Sequence, residues 1–168
     1  SLSDTWPMMP GTVHPAEMSD LFAKLRTHAE EFLGADLQAF VPHAEKIDQK
    51  KDRNLYAIAK ILAECSTIHS AATHAMTHSE WDFMAVYFDA IDHFCHGFMK
   101  YHPPRQEHIS PADFEMYKEV VNSAYRYHDW MLGNLLQLAG EDTTIILLSD
   151  HGFHPDHHRP RHIPEEPA

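Results

Sequence analysis

Two pairs of side chains bring an acid close to an imidazole: Asp92 and His96, four residues apart, and the adjacent Asp150 and His151. Residues at i and i+4 share one face of a helix, and a carboxylate oxygen beside an imidazole nitrogen is half of a zinc-type ligand set. Together the pairs offer two carboxylates and two imidazoles. Such a set could hold two divalent ions, which clamp the attacking and leaving oxygens of a phosphoryl transfer, or a single four-ligand ion. The plainer readings are a solvated Asp–His pair on a helix and a chance Asp-His-Gly.

Both pairs follow short apolar runs. Phe83-Met84-Ala85-Val86-Tyr87-Phe88 leads into Asp89, and Thr144-Ile145-Ile146-Leu147-Leu148 leads through Ser149 into Asp150. Runs of this length and composition predict strands over 82–89 and 143–149, apolar on both faces as covered parallel strands are. Ligands collect at the carboxyl ends of such strands. Between them a long helix is expected from Ser110, with Pro111 at its first position and Asp113 at its third, to Gly140. Its apolar positions include Phe114, Tyr117, Val121, Ala124, Met131, Leu135 and Leu138. Strand, helix, strand is a right-handed βαβ unit, so the fold class expected is α/β. Two parallel strands alone make no stable sheet, which predicts that the chain is the middle of a larger α/β domain.

Upstream, the periodicity predicts a helix from Pro15 to Leu33, closed by Gly34, and another over about 49–78 with Leu55, Ile58, Ala59, Leu62, Cys65, Ile68, Ala72, Ala75 and Met76 in one stripe. Leu37 to Val41 is a candidate short strand. Residues 1–14 read as an irregular lead-in, and the tail after Gly152 shows no periodicity.

The 168 residues fit one domain or part of one, and 43% are hydrophobic, enough for a core. A formal net charge of −12 argues against a nucleic-acid surface, because phosphate-backbone affinity needs clustered Lys and Arg. No apolar run reaches the length of a membrane span. Two cysteines, Cys65 and Cys95, make no disulfide framework and fit a reduced, cytoplasmic protein. The sixteen histidines are an unusually large number. His154, His157, His158 and His162 interleave with Arg159 and Arg161 in a tract that reads as a loop able to touch substrate phosphate, or as a solvated polar loop.

The stretch Tyr87-Phe88-Asp89-Ala90-Ile91-Asp92-His93-Phe94-Cys95-His96 and the later Asp150-His151-Gly152-Phe153 resemble the alkaline phosphatase superfamily, and within it the type I phosphodiesterase/nucleotide pyrophosphatase branch. That branch reads Tyr-x-Glu-Glu-Pro-Asp-x-x-Gly-His, then a long helix, then a strand and Asp-His-Gly-Met. The resemblance covers about residues 81–158. It implies an alkaline-phosphatase-like α/β/α sandwich with parallel strands, in which residues 81–168 form a βαβ part and residues 1–80 a helical insertion or cap.

The resemblance also implies roles. Asp92 and His96 would hold one divalent ion and Asp150 and His151 another, Zn²⁺ as in relatives or Mn²⁺. A Thr or Ser nucleophile is expected upstream, outside this chain, and a further metal-binding His downstream. Asp89 and His93 are candidates to orient a ligand from behind, and Arg159 and Arg161 to contact a small phosphate-ester substrate. Cys95 departs from the family Gly before the ligand His96. The implied activity is hydrolysis of a phosphodiester or phosphoanhydride. A sulfatase or phosphomutase relative shares the metal logic, and a non-catalytic His-rich metal-binding module is the rival from another class.

Overall fold

Helices carry the architecture seen in the computed structural model, which describes residues 10–154. In chain order they are α1 (Ser19–Leu25), α2 (Gly34–Gln38), α3 (Asn54–His78), α4 (Ala90–Phe98), α5 (Pro111–Tyr117) and α6 (Val120–Ala139), joined by short 3₁₀ turns.

Three helices build the core. α3 buries Leu55, Ile58, Ala59, Leu62, Cys65 and Ala72 along the stripe its spacing predicts. α4 contributes Ala90, Phe94, Cys95 and Phe98, and α6 contributes Val120, Val121, Ala124 and Met131. Each of the three touches the other two. Phe94 is fully buried and stacks on Phe40 with ring centroids 5.7 Å apart. Removing a ring of this size from water contributes roughly 1.5–3 kcal/mol. Three polar pairs tie the packed segments together: Tyr127 Oη and Ser66 Oγ lie 2.8 Å apart, Ser123 Oγ donates to the Ala39 carbonyl at 2.7 Å, and the Tyr117 hydroxyl donates to Asp52. One core draws on residues from either side of position 80.

The expected α/β sandwich with parallel strands is overturned. Among the described residues there is no strand and no sheet. Residues 83–89 and 144–149 are irregular, and apart from the His93 N–H, which donates to the Asp89 carbonyl at 3.1 Å at the start of α4, no backbone hydrogen bond joins either run to another segment among the described residues. Nor are they buried: Phe83 is 82% exposed and Leu148 85%. A strand exists only by pairing, so β propensity without a neighbouring ladder leaves an exposed run. Here α4 and α6 pack on α3, and no ladder joins the two runs among the described residues.

Local boundaries differ too. The helix expected over Pro15–Leu33 stops at Leu25, where the Thr27 N–H leaves the helical ladder and donates to Thr67 Oγ1 at 3.0 Å. Gly34 does not close a helix but opens α2, with the Asp36 carboxylate accepting from the Leu33 N–H at 2.7 Å. That capping makes Leu37 helical rather than part of a strand. The Ser110 cap is present, its Oγ accepting from the Asp113 N–H at 3.0 Å with Pro111 at the first position. The helix it starts ends at Tyr117 and a new one begins at Val120. Gly140, at φ 75°, ends α6 as expected. No helix among the described residues is long and apolar enough to cross a membrane.

Candidate metal-binding cluster

α4 and its cap present four of the predicted residues, Asp89, Asp92, His93 and His96. Asp89 stands at its N-cap, Asp92 in its first turn and His96 in its last. Carboxylates suit the positive end of a helix, and an imidazole that protonates suits the negative end. One turn apart on the same face, Asp92 Oδ2 lies 3.5 Å from His96 Nε2. Asp89 Oδ2 lies 3.4 Å from His93 Nε2 in a parallel pair one register back.

The second motif comes to the first. His151 Nε2 lies 3.6 Å from Asp92 Oδ1 and 4.0 Å from Asp150 Oδ1. Asp92 thus stands between two imidazoles, one oxygen toward each. The carboxylate of the first motif meets the imidazole of the second. Asp150 is the outlier, its side chain 93% exposed. The turn that aims His151 is held by the Ser149 hydroxyl, which donates to the His151 carbonyl at 2.7 Å.

A residue that spacing alone did not single out brings the motifs together. Phe153 sets its ring edge-to-face against His96 (5.1 Å between centroids, 87° between planes) and against His151 (5.3 Å, 65°). It is half-buried and rests on the main core. Aromatic rings prefer this T-shaped geometry, so Phe153 holds two polar rings at fixed tilt. The available signal was its place directly after Asp-His-Gly, where relatives carry Met.

Behind the cluster, Phe88 meets His128 of α6 edge-on at 5.8 Å. The His128 Nδ1–H donates to the Ala124 carbonyl at 2.8 Å, while buried Nε2 has no hydrogen-bond partner among the described residues. Burial pushes the His128 pKa down, against the smaller opposing effect of that backbone bond. Cys95, in place of the family Gly, is fully buried beneath His96. His102, just beyond α4, donates from Nδ1 to the Pro103 carbonyl at 2.8 Å. Arg159 and Arg161 lie outside the described residues.

The donor types suit Zn²⁺ or Mn²⁺: two imidazoles and two carboxylates. The arrangement is one of acid–imidazole contacts at 3.5–4.0 Å. No three or more His, Cys, Asp or Glu side chains among the described residues converge as ready ligands for one ion. An arriving ion would replace these contacts.

The family model for type I phosphodiesterase / nucleotide pyrophosphatase matches residues 5–163. The chain belongs to this family. The match runs far upstream of the two motifs and takes in α1, α2 and α3. Type I phosphodiesterase / nucleotide pyrophosphatase membership makes a hydrolase of phosphodiesterase or pyrophosphatase type the activity the family implies. No curated protein and no solved structure matches the chain significantly.

Proposed function

We propose that the chain supplies the metal-holding side chains of a hydrolase that cleaves a phosphodiester or phosphoanhydride bond in a small phosphate-ester substrate. What supports this reading is the contact of Asp92 with both His96 and His151, which joins the two motifs of a phosphodiesterase family in one place. Asp92 and His96 would hold one divalent ion and Asp150 and His151 a second, Zn²⁺ or Mn²⁺. Bound there, the ions would polarise the phosphoryl group and stabilise the charge that develops on it. Phe153 orients the two imidazoles, and Asp89 restrains His93 on the flank of α4. A Thr or Ser outside this chain would act as nucleophile, as the family resemblance implies. Residues 1–80 would serve as a helical region that braces α4 through α3.

The test is hydrolysis of a chromogenic phosphodiester by the full-length protein, with Zn²⁺ or Mn²⁺ and a chelator control. Chelator-sensitive turnover that is lost in Asp92→Asn would support the reading. Turnover of neither diester nor monoester with either metal would sink it and favour a His-rich metal-binding module without catalysis. The helical character of the described residues and their 3.4–4.0 Å acid–imidazole contacts are compatible with that rival.

A further inference from the structure

We propose a binding site for a small amphiphilic cation, an alkylammonium, in the cleft that α2 and the turn at 44–46 form against the start of α3. The cleft encloses about 350 Å³, a size at which small-molecule pockets occur. None of its lining residues belongs to the Asp92 cluster.

The sequence leaves this space unfilled. Four of the lining positions, Ala29, Gly34, Ala44 and Ala59, carry a methyl group or nothing. A β-carbon at Gly34 would meet no atom within 4 Å. Larger side chains at these positions would close the cleft. Its floor is apolar: Leu37 and Leu55 are buried in the main core, and Phe32 packs half-buried against it. A hydrocarbon chain laid on that floor leaves water, which is favourable in proportion to the area covered.

The mouth is acidic and rich in acceptors. The charged side chains that line the cleft are Glu30 and Glu45, both exposed, with no Lys or Arg among them. His43 Nδ1 stands 3.8 Å from Glu45 Oε1, beyond hydrogen-bond length, so that oxygen can still accept. The Arg53 guanidinium lies over the Tyr56 ring at 5.7 Å and is not part of the lining. Gln38 and Gln49 add two amide oxygens. An ammonium group has three N–H donors and accepts nothing, so these four side chains suit it. A carboxylate in the same place would face two like charges. The net charge of −12 draws cations in the same sense. Exposed carboxylates contribute little singly, so selectivity rests on the two acting together above an apolar floor.

The experiment titrates n-hexylammonium, n-hexanol and n-hexanoate into the full chain at low ionic strength and follows methyl resonances by NMR. Hexylammonium should shift the methyls of Leu37, Leu55 and Ala59 and bind roughly tenfold or more tighter than hexanoate. Glu30→Gln/Glu45→Gln should weaken hexylammonium roughly fivefold and leave hexanol unchanged. Ala44→Trp, on the half-buried wall, should fill the cleft and abolish the shifts. Asp92→Asn should leave them as in the parent, which separates this site from the proposed catalytic one. Hexanoate binding as tightly as hexylammonium would overturn the proposal. So would hexylammonium shifting none of these methyls, or binding equally well to folded Ala44→Trp. If Ala44→Trp does not fold by circular dichroism, the Glu30/Glu45 variant decides, and unchanged hexylammonium affinity there sinks the assignment.

Discussion

His151 approaches Asp92 to 3.6 Å, Nε2 to Oδ1, although α5 and α6 lie between them in the chain. The contact brings a residue from an unpaired segment onto the first turn of a packed helix. Asp92→Asn keeps the shape and removes the charge both imidazoles face. Turnover of a phosphodiester should fall by more than about two orders of magnitude, with Zn²⁺ affinity falling too, as expected for loss of a ligand. Helix content by circular dichroism should not change. Near-normal turnover would remove Asp92 from the metal-holding set.

Phe153→Ala leaves every proposed ligand in place and removes the ring between two of them. Metal affinity should drop by about 10- to 100-fold, the usual cost of losing a ligand's supporting contact. In the metal-free protein the ring protons of both His96 and His151 should shift, because each lies against the Phe153 face or edge. Phe153→Met, the side chain of relatives, should restore much of the affinity. Unchanged shifts at both histidines would show that the ring does not hold them.

Stability should depend on pH through His128. Burial holds its pKa below the ordinary 6.5. As pH falls below about 6.5 the unfolded chain takes up a proton that the folded chain refuses, so stability declines until the folded pKa is passed. His69, also lowered by burial, acts in the same direction but is the more exposed of the two. The urea midpoint should therefore fall between pH 7.5 and 5.5, and His128→Leu should make that fall shallower. A variant with the same slope as the parent would assign the effect elsewhere.

Core and surface aromatics should respond oppositely. Phe94 is fully enclosed and stacks on Phe40, so Phe94→Ala should cost about 3–5 kcal/mol in equilibrium unfolding. Phe83→Ser removes a ring that is 82% exposed and should change stability within about 0.5 kcal/mol, while solubility rises.

The periodic parts of this fold were readable in the sequence. Leu55, Ile58, Leu62 and Cys65 mark α3 because a helix is specified by its own residues, and Ser110-Pro111 marks a start because the cap is local. The break between Tyr117 and Val120 has no Gly or Pro to announce it. Strand character in Val86 or Leu147 could not be settled from within, since it depends on a neighbour elsewhere in the chain. The same division applies to the cluster. The Asp92–His96 pair follows from helical spacing, whereas the meeting of His151 with Asp92 and the wedge of Phe153 depend on how distant segments pack.

The run 144–149 has no backbone hydrogen bond to another segment among the described residues. Its amide protons should therefore exchange with solvent at nearly the rate of a free peptide, while those in the middle of α3 open only when the whole molecule does. The arm bearing Asp150 and His151 thus sits low on the local stability scale, beside an α4 whose Phe94, Cys95 and Phe98 are buried in the core. Whatever orders that arm, an ion or a covering surface, would be recorded first as slowed exchange at Ile145 to Leu148, before any change in the helices.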